Sequence, residues 1–269
     1  MNDRIDRYLV SALRAARAAQ REMRQAPLSA EVKAGDMTNV VTDRDFAAQD
    51  AIFRILRDRH PGVPLIGEEG GEGDWASNGS AWIVDPIDGT SNFARSRPPF
   101  GSSIAFGRAG QADVGVILAP WCRGIAWAVR GRGAFLRIGG RAERLAVSDI
   151  GRPAESTALT GYGYARESHP GWLARVARSM PALRALRVYG SAVHDLIAVA
   201  RGLADIYWED ELQPWDWAAG ALLVEEAGGR VTDLSGDRLV GRPGGFLATN
   251  GRLHDAAVAL LRLSAEALW

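Results

Sequence analysis

The segment from residue 82 to residue 92 holds two carboxylates whose type and spacing suit metal and phosphate chemistry. The apolar run 82–84 predicts a strand that ends at Asp85, and Asp88 follows with the Ile87 carbonyl between the two acids. Carboxylate and carbonyl oxygens are the ligands that hard divalent cations prefer. The turn Gly89-Thr90 comes next and leaves backbone N–H groups free to face an anion such as phosphate. A metal site that touches a phosphate site indicates phosphoryl chemistry.

The same residues also fit an ordinary turn, because Asp-Pro and Asp-Gly are common turn dipeptides and a strand end needs no ligand. Two further segments weigh against that interpretation. The short apolar run 65–67 is followed by the adjacent acids Glu68 and Glu69, and Asp216 stands at the start of an apolar helix that ends at Gly228-Gly229. Adjacent like charges at a strand end are costly unless water or a cation surrounds them. The three segments together favour a metal site.

Hydrophobic periodicity predicts the elements that must position these acids. The first ~20 residues follow the helical period, and a second helix is predicted from about residue 45 to residue 59. Residues 33–42 between these helices are polar and irregular and predict a mobile loop. The residues that follow predict short strands separated by turns, as in an antiparallel meander. These strands are predicted at 63–66, 81–85, 102–106, 113–118, 124–129 and 134–137.

After Asp149 the pattern changes to strands that alternate with helices, and pattern alone supports only a mixed α and β chain. Helices are predicted there at 169–179, 192–202, 216–227 and 252–268. Gly151-Arg152-Pro153 is the best boundary between two lobes. We expect an N-terminal α+β lobe, 1–150, that carries the metal-binding motifs, and a C-terminal α/β lobe, 151–269, that completes the site in one compact catalytic unit.

Three motifs resemble the signature motifs of the inositol monophosphatase family, in the family's order and at about its separations. They are Gly67-Glu68-Glu69, Asp85-Pro86-Ile87-Asp88-Gly89-Thr90-Ser91-Asn92-Phe93 and Trp215-Asp216-Trp217-Ala218-Ala219-Gly220. The resemblance runs from the first helix to the last. It implies an α/β (α+β) fold, a layered α-β-α-β-α sandwich of the inositol monophosphatase and sugar phosphatase type, with the site between the lobes. It also implies a magnesium-dependent, lithium-sensitive phosphatase.

The family resemblance implies two or three Mg²⁺ ions per site and assigns their ligands. Glu68, Asp85 and the Ile87 carbonyl would hold the first ion. Asp85, Asp88 and Asp216 would hold the second ion, so Asp85 would bridge the two. Glu68 would also contribute to a third, weaker ion.

The resemblance also implies the residues that act on the attacking water. Thr90, paired with Asp45, would orient this water, and Glu68 completes the predicted catalytic set. The match of Asp45 rests on Val41-Thr42-Asp43-Arg44-Asp45, which resembles the Val-Thr-x-x-Asp pattern of the family. Asp43 is the competing candidate, because both acids also fit the N-terminus of a helix, where the helix dipole favours negative charge.

The phosphate and the alcohol of the substrate are expected in different parts of the site. The phosphate is predicted on the backbone N–H groups of Gly89, Thr90 and Ser91, where glycine allows a close approach. Contacts with the alcohol are predicted from Asp88, Ala192, Glu209 and Asp216. The segment Gly190-Ser191-Ala192 and Glu209 both lie at family spacing, although they also fit a helix N-cap and a solvated loop acid.

Several residues near these motifs have two interpretations. Lys33 precedes Asp45 at nearly the family spacing, in a segment that resembles the family's flexible metal loop, but a solvated surface lysine is favoured. Glu69 fits equally a solvated acid at a strand end and a site residue. Asn39 stands where family members often carry Asp, which weakens a role for this position in metal–water networks. Core or surface packing is assigned to Tyr162, Tyr164, Trp172 and His194.

The predicted reaction is hydrolysis of a phosphate monoester by a water that the metal ions activate, with myo-inositol 1-phosphate as the first candidate. Histidinol phosphate, fructose 1,6-bisphosphate and 3′-phosphoadenosine 5′-phosphate are the alternative substrates. A further hypothesis is a regulatory protein with a secondary phosphatase site and a protein or RNA partner. The complete set of acids weighs against it, because a decayed enzyme is expected to lose some of them.

Composition excludes some classes of partner. Acidic and basic residues balance at 32 each, so no global field recruits nucleic acid or a membrane surface, and neither partner is expected. No apolar stretch is long enough to span a bilayer. The single cysteine, Cys122, excludes an internal disulfide and fits the reducing cytoplasm, which is the expected location.

The first helix and the tryptophans complete these expectations. The N-terminal helix is rich in arginine, but Asp3, Asp6 and Glu22 argue against an organelle transit peptide. Trp121 and Trp127 lie in the predicted meander, where family members form dimers. A homodimer is therefore implied by the resemblance.

Overall fold

The computed structural model describes residues 2–33, 39–71, 73, 75–76, 79–163, 170–242 and 244–262. The α-helices are α1 (Asn2–Met23), α2 (Asp43–Arg59), α3 (Thr90–Phe93), α4 (Pro170–Ser179), α5 (Ala192–Ala200), α6 (Pro214–Glu226) and α7 (His254–Leu261). The strands are β1 (Ala30–Val32), β2 (Val40–Thr42), β3 (Leu65–Gly67), β4 (Ser80–Asp88), β5 (Gly101–Arg108), β6 (Gln111–Ala119), β7 (Gly124–Val129), β8 (Gly133–Ile138), β9 (Arg141–Arg144), β10 (Thr157–Thr160), β11 (Ala185–Arg187), β12 (Ile206–Leu212), β13 (Arg230–Thr232) and β14 (Gly244–Thr249). None of the helices in these ranges is both long and apolar enough to cross a membrane.

The strands form two large sheets and one small ribbon. The first sheet has seven strands in the order β3-β4-β5-β6-β7-β8-β9, with β3 parallel to β4 and the other neighbours antiparallel. The second sheet has five strands in the order β11-β10-β12-β14-β13. In it β10 runs parallel to β11 and β12, while β14 runs antiparallel to β12 and β13. Strands β1 and β2 pair with each other as the ribbon.

Three apolar clusters show how helices and sheets are layered. α1 and α2 cover one face of the first sheet, where Ile52 meets Trp82 and Val84 in one cluster. α5 and α6 lie between the other face of the first sheet and the second sheet. α4 and α7 cover the outer face of the second sheet, around Trp208 and Leu247. The order of layers is therefore α-β-α-β-α, which confirms the predicted fold class.

Residue patterns explain why β4 and α6 occupy the inner layers. Trp82 and Val84 face α1 and α2, whereas Ile83 faces α5 and α6, so β4 is apolar at successive positions because both of its faces are buried. α6 is buried almost throughout its length, as expected for a helix that is apolar on all sides and lies between two sheets. Both elements carry predicted metal ligands at one end, so the layered core holds those ends in place.

Most predicted elements are confirmed, and two predictions about strands are wrong. β3 does not belong to an antiparallel meander, because it pairs parallel with β4, with Leu65 opposite Trp82. The irregular loop predicted at 33–42 contains strand β2, whose three residues are too few to show a periodic pattern. Residues 34–38 lie outside the described residues. α7 ends at Leu261, and the predicted extension from 263 to 268 also lies outside the described residues. The lobe boundary at residue 151 stays a prediction.

Candidate active site

The end of β4 presents two carboxylates in different directions because the strand is bulged there. Asp85 pairs with Ser103 on β5, and Asp88 pairs with Gly101, so three steps on β4 oppose two steps on β5. Pro86 lies within this irregular stretch and has no N–H to donate to the ladder. An extra residue in one strand bends it and turns its side chains in new directions, which is common beside functional sites.

Asp216 joins these two acids from the start of α6. Asp85, Asp88 and Asp216 each offer a carboxylate oxygen, and these oxygens all lie within 4.8 Å of one another. Asp85 and Asp88 are buried, and Asp216 is half-buried. The Gln213 N–H donates to Asp216 Oδ2 at 2.7 Å, which is a capping interaction at the helix N-terminus. Two chain segments far apart in sequence therefore form one acidic triad.

The triad has the properties of a cation site. Asp85 Oδ1 is buried and accepts no hydrogen bond within the described part of the chain. Burial raises the pKa values of Asp85 and Asp216 well above their ordinary range, and the negative charge of Glu68 raises them further. A buried carboxylate without a donor is costly, and a bound divalent cation would remove that cost. Because every donor is an oxygen, the residues fit Mg²⁺ or another hard cation.

Asp88 also ties β4 to α5. The Ser191 hydroxyl donates to Asp88 Oδ2, the Ala192 N–H donates to Oδ1 at 3.0 Å, and the Val193 N–H donates to Oδ2 at 3.3 Å. Burial raises the pKa of Asp88 to about 6, and the bond from Ser191 limits that rise. The structure thus brings the predicted residue Ala192 to the site, where its N–H binds Asp88.

Glu68, Glu69 and Lys33 form an ion cluster beside the triad. Lys33 Nζ lies 3.0 Å from Glu68 Oε1 and 2.5 Å from Glu69 Oε1. The side chain of Lys33 is 25% exposed and that of Glu69 only 4%, so the interpretations of Lys33 as a solvated surface lysine and of Glu69 as a solvated strand-end acid are wrong. Sequence reasoning missed these ion pairs because they join residues about 35 positions apart. One signal was available, since Lys33 is the only lysine of the chain.

Charge within this ion cluster shifts the pKa of both kinds of group. Burial alone would lower the pKa of Lys33, but Glu68 and Glu69 outweigh it, so the pKa lies above its ordinary value. Burial raises the pKa of Glu68 to about 7, although the attraction of Lys33 acts in the opposite direction. Glu68 is therefore held next to the triad by an ammonium group.

Asp45 and Thr90 form the predicted pair. Thr90 Oγ1 lies 3.0 Å from Asp45 Oδ1 and 2.9 Å from the Ile87 carbonyl oxygen. Asp45 Oδ2 accepts the N–H of Thr42 at 2.8 Å in a capping box at the start of α2. Burial raises the pKa of Asp45 above its ordinary value, although its hydrogen bonds lower it. The carboxylate of Asp45 therefore faces the site.

Asp43, the competing candidate, faces away from Thr90. Its Oδ1 accepts the backbone N–H of Leu28 at 2.8 Å and that of Ser29 at 3.2 Å. These bonds attach the segment before β1 to the start of α2. Of the two acids, Asp45 alone contacts Thr90, so the contacts favour it over Asp43.

The predicted phosphate turn has a conformation that requires glycine at its first position. Gly89 has φ +78°, and a Cβ atom there would lie 3.1 Å from the carbonyl oxygens of Gly190 and Pro99. α3 starts at Thr90, and the Gly89 carbonyl accepts the N–H groups of Asn92 and Phe93. The N–H groups of Thr90 and Ser91 precede these bonds, as the first groups of a helical turn do. Their use by a phosphate stays a prediction.

A cavity of about 690 Å³ opens over the triad and is lined by residues of both halves of the chain. Its lining also includes Glu209, Tyr162, Tyr189 and Trp215. Glu209 is buried, the Tyr207 hydroxyl donates to its Oε1 at 2.7 Å, and burial raises its pKa to about 8. The interpretation of Glu209 as a solvated loop acid is therefore wrong.

The aromatic residues assigned to packing have different outcomes. Tyr162 packs against the ring of Trp172, which confirms the assignment, and it also lines the cavity. Trp172 donates through Nε1 to Thr160 Oγ1 at 3.2 Å, and His194 packs against Trp121, which confirms the assignment for both. Tyr164 lies outside the described residues. Sequence reasoning did not identify Tyr189, Trp215 or Gln213 as cavity residues, because no local pattern shows which face of a loop meets a cavity.

The arrangement combines a hard-cation site, a water-orienting pair and a cavity for a small molecule. Oxygen ligands, a buried hydroxyl paired with a carboxylate, and backbone N–H groups at a turn are the parts that phosphate ester hydrolysis needs. Comparison with known proteins bears on the reaction class.

A sequence profile described as the Inositol monophosphatase family matches residues 1–266. An inositol-1-monophosphatase of Caulobacter vibrioides is 35% identical over 225 residues, which cover 82% of this chain and 87% of that protein. A histidinol-phosphatase of Mycobacterium tuberculosis is 40% identical over 223 residues, which cover 82% of this chain and 84% of that protein.

Solved structures agree with this family match. The extragenic suppressor protein SuhB of Bartonella henselae superposes with a TM-score of 0.82 at 32% identity, and the match covers 96% of this chain and 98% of that chain. The family is a metal-dependent phosphatase family, in accord with the acidic triad. The fold is also that of solved inositol monophosphatases. The chain belongs to the inositol monophosphatase family.

Proposed function

We propose that this protein hydrolyses a small phosphate monoester in the presence of Mg²⁺. One observation carries the proposal: the buried, unpartnered Oδ1 of Asp85 belongs to a triad whose oxygens lie within 4.8 Å of one another. Such a triad has no evident structural use, because it raises the cost of burying each acid. The residues proposed to hold the ions are Glu68, Asp85, the Ile87 carbonyl, Asp88 and Asp216. Mg²⁺ at these ligands supplies charge neutralisation and a lowered water pKa.

The remaining catalytic parts belong to the chain itself. The Thr90 hydroxyl lies within hydrogen-bond distance of Asp45 Oδ1 and of the Ile87 carbonyl oxygen, and with its proton directed to Asp45 its oxygen accepts a hydrogen bond from the attacking water. Asp45 is a base buried in the site, and its raised pKa favours acceptance of a proton through Thr90. The N–H groups of Gly89, Thr90 and Ser91 are proposed to bind the phosphate oxygens.

The alcohol part of the substrate is proposed to occupy the cavity between Asp88 and Glu209. Ala192 and Asp216 complete this predicted contact set. A cavity of about 690 Å³ has room for a cyclitol or an amino alcohol of similar size. Myo-inositol 1-phosphate is the first candidate, because Glu209 offers a carboxyl to ring hydroxyls and the Caulobacter relative is named an inositol-1-monophosphatase.

Histidinol phosphate is the second candidate, and the charge of the cavity favours it. Glu209 and Glu211 both line the cavity, and their carboxyl groups suit a substrate that carries an ammonium group. The Mycobacterium tuberculosis relative is named a histidinol-phosphatase. Fructose 1,6-bisphosphate and 3′-phosphoadenosine 5′-phosphate stay the alternative substrates. A regulatory role, a homodimer and a cytoplasmic location stay predictions.

Phosphate release from purified protein tests the proposal. The assay uses Mg²⁺ and myo-inositol 1-phosphate, histidinol phosphate, fructose 1,6-bisphosphate and 3′-phosphoadenosine 5′-phosphate in parallel. We expect turnover of one of the first two esters, its loss on addition of EDTA, and its recovery with excess Mg²⁺. Preference for a bisphosphate would contradict our assignment of the alcohol side. An absence of turnover for all four esters would overturn the proposed function and favour the regulatory hypothesis.

A further inference from the structure

Glu209 is held by a side chain that lies behind it, away from the substrate. Tyr207 and Glu209 alternate with Trp208 on β12, so both side chains lie on the same face of the sheet. The Tyr207 hydroxyl donates to Glu209 Oε1 at 2.7 Å. Tyr207 is fully buried and does not line the cavity, whereas Glu209 does. Tyr207 therefore contacts the cavity through Glu209.

Gly161, which follows the neighbouring strand β10, leaves space for the Glu209 side chain. β10 runs parallel to β12, with Leu159 opposite Tyr207 and Thr160 opposite Trp208, and Gly161 is the next residue. A Cβ atom at Gly161 would lie 2.2 Å from Glu209 Oε1 and 2.8 Å from Oε2. Both oxygens of the Glu209 carboxyl group therefore occupy space that a side chain at position 161 would fill.

Tyr207 is itself fixed by aromatic packing. Its ring lies 5.7 Å from the ring of Phe246, which lies 6.0 Å from that of Trp217. Trp217 directly follows the triad residue Asp216, and all three aromatic side chains are buried. Close packing of this kind holds side chains in one rotamer. The position of Glu209 relative to the triad is thus set by a continuous row of packed rings.

One oxygen of Glu209 is left for the substrate. Its Oε1 accepts the Tyr207 hydroxyl, and no other described residue donates to its carboxyl group. Glu209 itself lines the cavity. A carboxyl group anchored through one oxygen keeps the other in a defined direction.

We propose, on the basis of the proposed function, that Tyr207 is a positioning residue that orients Glu209 toward the leaving alcohol and thereby determines substrate specificity. Gly161 supports the same orientation from the neighbouring strand. The predicted consequence is selective. Esters whose alcohol carries a hydroxyl or ammonium group within reach of Glu209 depend on Tyr207. Esters without such a group do not.

The test compares Tyr207→Phe with the unaltered protein on myo-inositol 1-phosphate, histidinol phosphate and p-nitrophenyl phosphate, with Mg²⁺ present. The nitrophenol leaving group carries no hydroxyl or ammonium for Glu209 to bind. For the better of the first two esters we expect kcat/KM to fall about tenfold, mainly through KM, which corresponds to about 1.4 kcal/mol. For p-nitrophenyl phosphate we expect a change below about twofold, because its binding does not use Glu209.

Two further variants separate positioning from a general structural effect. Glu209→Ala should show the same selective loss, and adding Tyr207→Phe to it should cause no further loss, because the two residues act as one unit. Tyr8→Phe is the matched control, since Tyr8 is another buried tyrosine that lies on α1 and does not line the cavity. It should leave the ratio of kcat/KM values unchanged. An equal loss on all three esters in Tyr207→Phe, or additive losses in the double variant, would overturn the proposal.

A crystal structure of Tyr207→Phe decides the positioning role without any assay. We expect the Glu209 carboxyl group to leave its place against Gly161, and a carboxyl group that stays there would refute the proposal. If the unaltered protein releases no phosphate from any ester, the proposed function fails, and this structure still tests whether Tyr207 positions Glu209.

Discussion

The buried acids in two regions of the molecule differ in what surrounds them. Asp205, just before β12 in the second sheet, is almost fully buried and accepts hydrogen bonds from the Ser148 hydroxyl and, at 2.7 Å, from the Thr157 N–H. Asp85, at the end of β4 in the first sheet, is equally buried, yet its Oδ1 has no donor in the described ranges and Asp216 lies beside it. Burial is similar, but hydrogen bonding is not.

The difference shows how to tell a structural acid from a ligand. When a buried carboxylate accepts two hydrogen bonds, they offset the cost of its burial and connect parts of the fold. A buried carboxylate without a donor, next to other acids, destabilises the protein until a cation neutralises it. Such strain is typical of functional sites. The same substitution is therefore expected to have opposite effects on stability in these two regions.

The largest expected effect is a difference in activity between Asp85→Asn and Asp205→Asn. Asp85→Asn should lower kcat/KM by roughly a thousandfold or more, because a ligand charge is lost from the reacting centre. In EDTA the same variant should be more stable to urea, by about 0.5–2 kcal/mol, since a repelled buried charge is gone. Asp205→Asn should keep its activity and lose about 1–3 kcal/mol of unfolding free energy, because the new amide group cannot accept both hydrogen bonds. Equal responses of the two variants would contradict the comparison.

The next largest effect is a difference in kcat between variants of Asp45 and Asp43, the two acids at the start of α2. Asp45→Asn should lower kcat by about a hundredfold to a thousandfold, because the Thr90 hydroxyl loses its basic partner. Asp43→Asn is the matched control and should retain kcat within about twofold, since its bonds to Leu28 and Ser29 lie away from Thr90. Steady-state kinetics at saturating Mg²⁺ measure both. A larger loss in Asp43→Asn than in Asp45→Asn would transfer the catalytic role to Asp43.

A smaller effect is expected from the metal alone. Adding Mg²⁺ at about a hundredfold excess over its dissociation constant should stabilise EDTA-treated protein by about 2.7 kcal/mol, because the ion binds only the folded state. Differential scanning fluorimetry and urea titration measure this shift, with sodium at equal ionic strength as the control. The shift should be nearly absent in Asp85→Asn and intact in Asp205→Asn. A shift of equal size in both variants would place the cation outside the triad.

The smallest effect concerns His254, a second satisfied group outside the cavity. Its two ring nitrogens each lie 3.0 Å from a threonine hydroxyl, of Thr232 and of Thr249. Burial lowers the pKa of His254 to about 4, so the folded protein favours the neutral ring. Its contribution to stability is therefore complete above about pH 6.5 and is lost as the pH falls toward 4. Urea titrations from pH 4 to 7 should show this loss in the unaltered protein relative to His254→Gln. A constant difference between the two proteins would refute it.

Local signals in the sequence predicted the parts of the site but not their contacts. An apolar run that ends at Asp85, a glycine turn after Asp88 and a helix start at Asp216 each depend on neighbours within a few residues, so they are visible in the sequence. The parallel pairing of β3 with β4 depends on residues about 17 positions apart, and the ion pairs of Lys33 span about 35 positions. No short pattern encodes such separations, and for that reason the inclusion of β3 in the meander and the interpretation of Lys33 as a solvated lysine were wrong.

The sequence by itself determined the chemistry that the protein has available: the oxygen ligands, the Asp45 and Thr90 pair, the turn with Gly89, and the period of each helix and strand. Only the tertiary structure decided which acids are left without donors and which are compensated. This depends on burial and on the groups that surround each acid, and in the cavity those groups come from Glu68 after β3 and from β4, α5, β12 and α6. Electrostatic energy in a protein interior depends on that assembled environment. The same residue type therefore has a structural role at Asp205, where it accepts hydrogen bonds, and is a proposed metal ligand at Asp85.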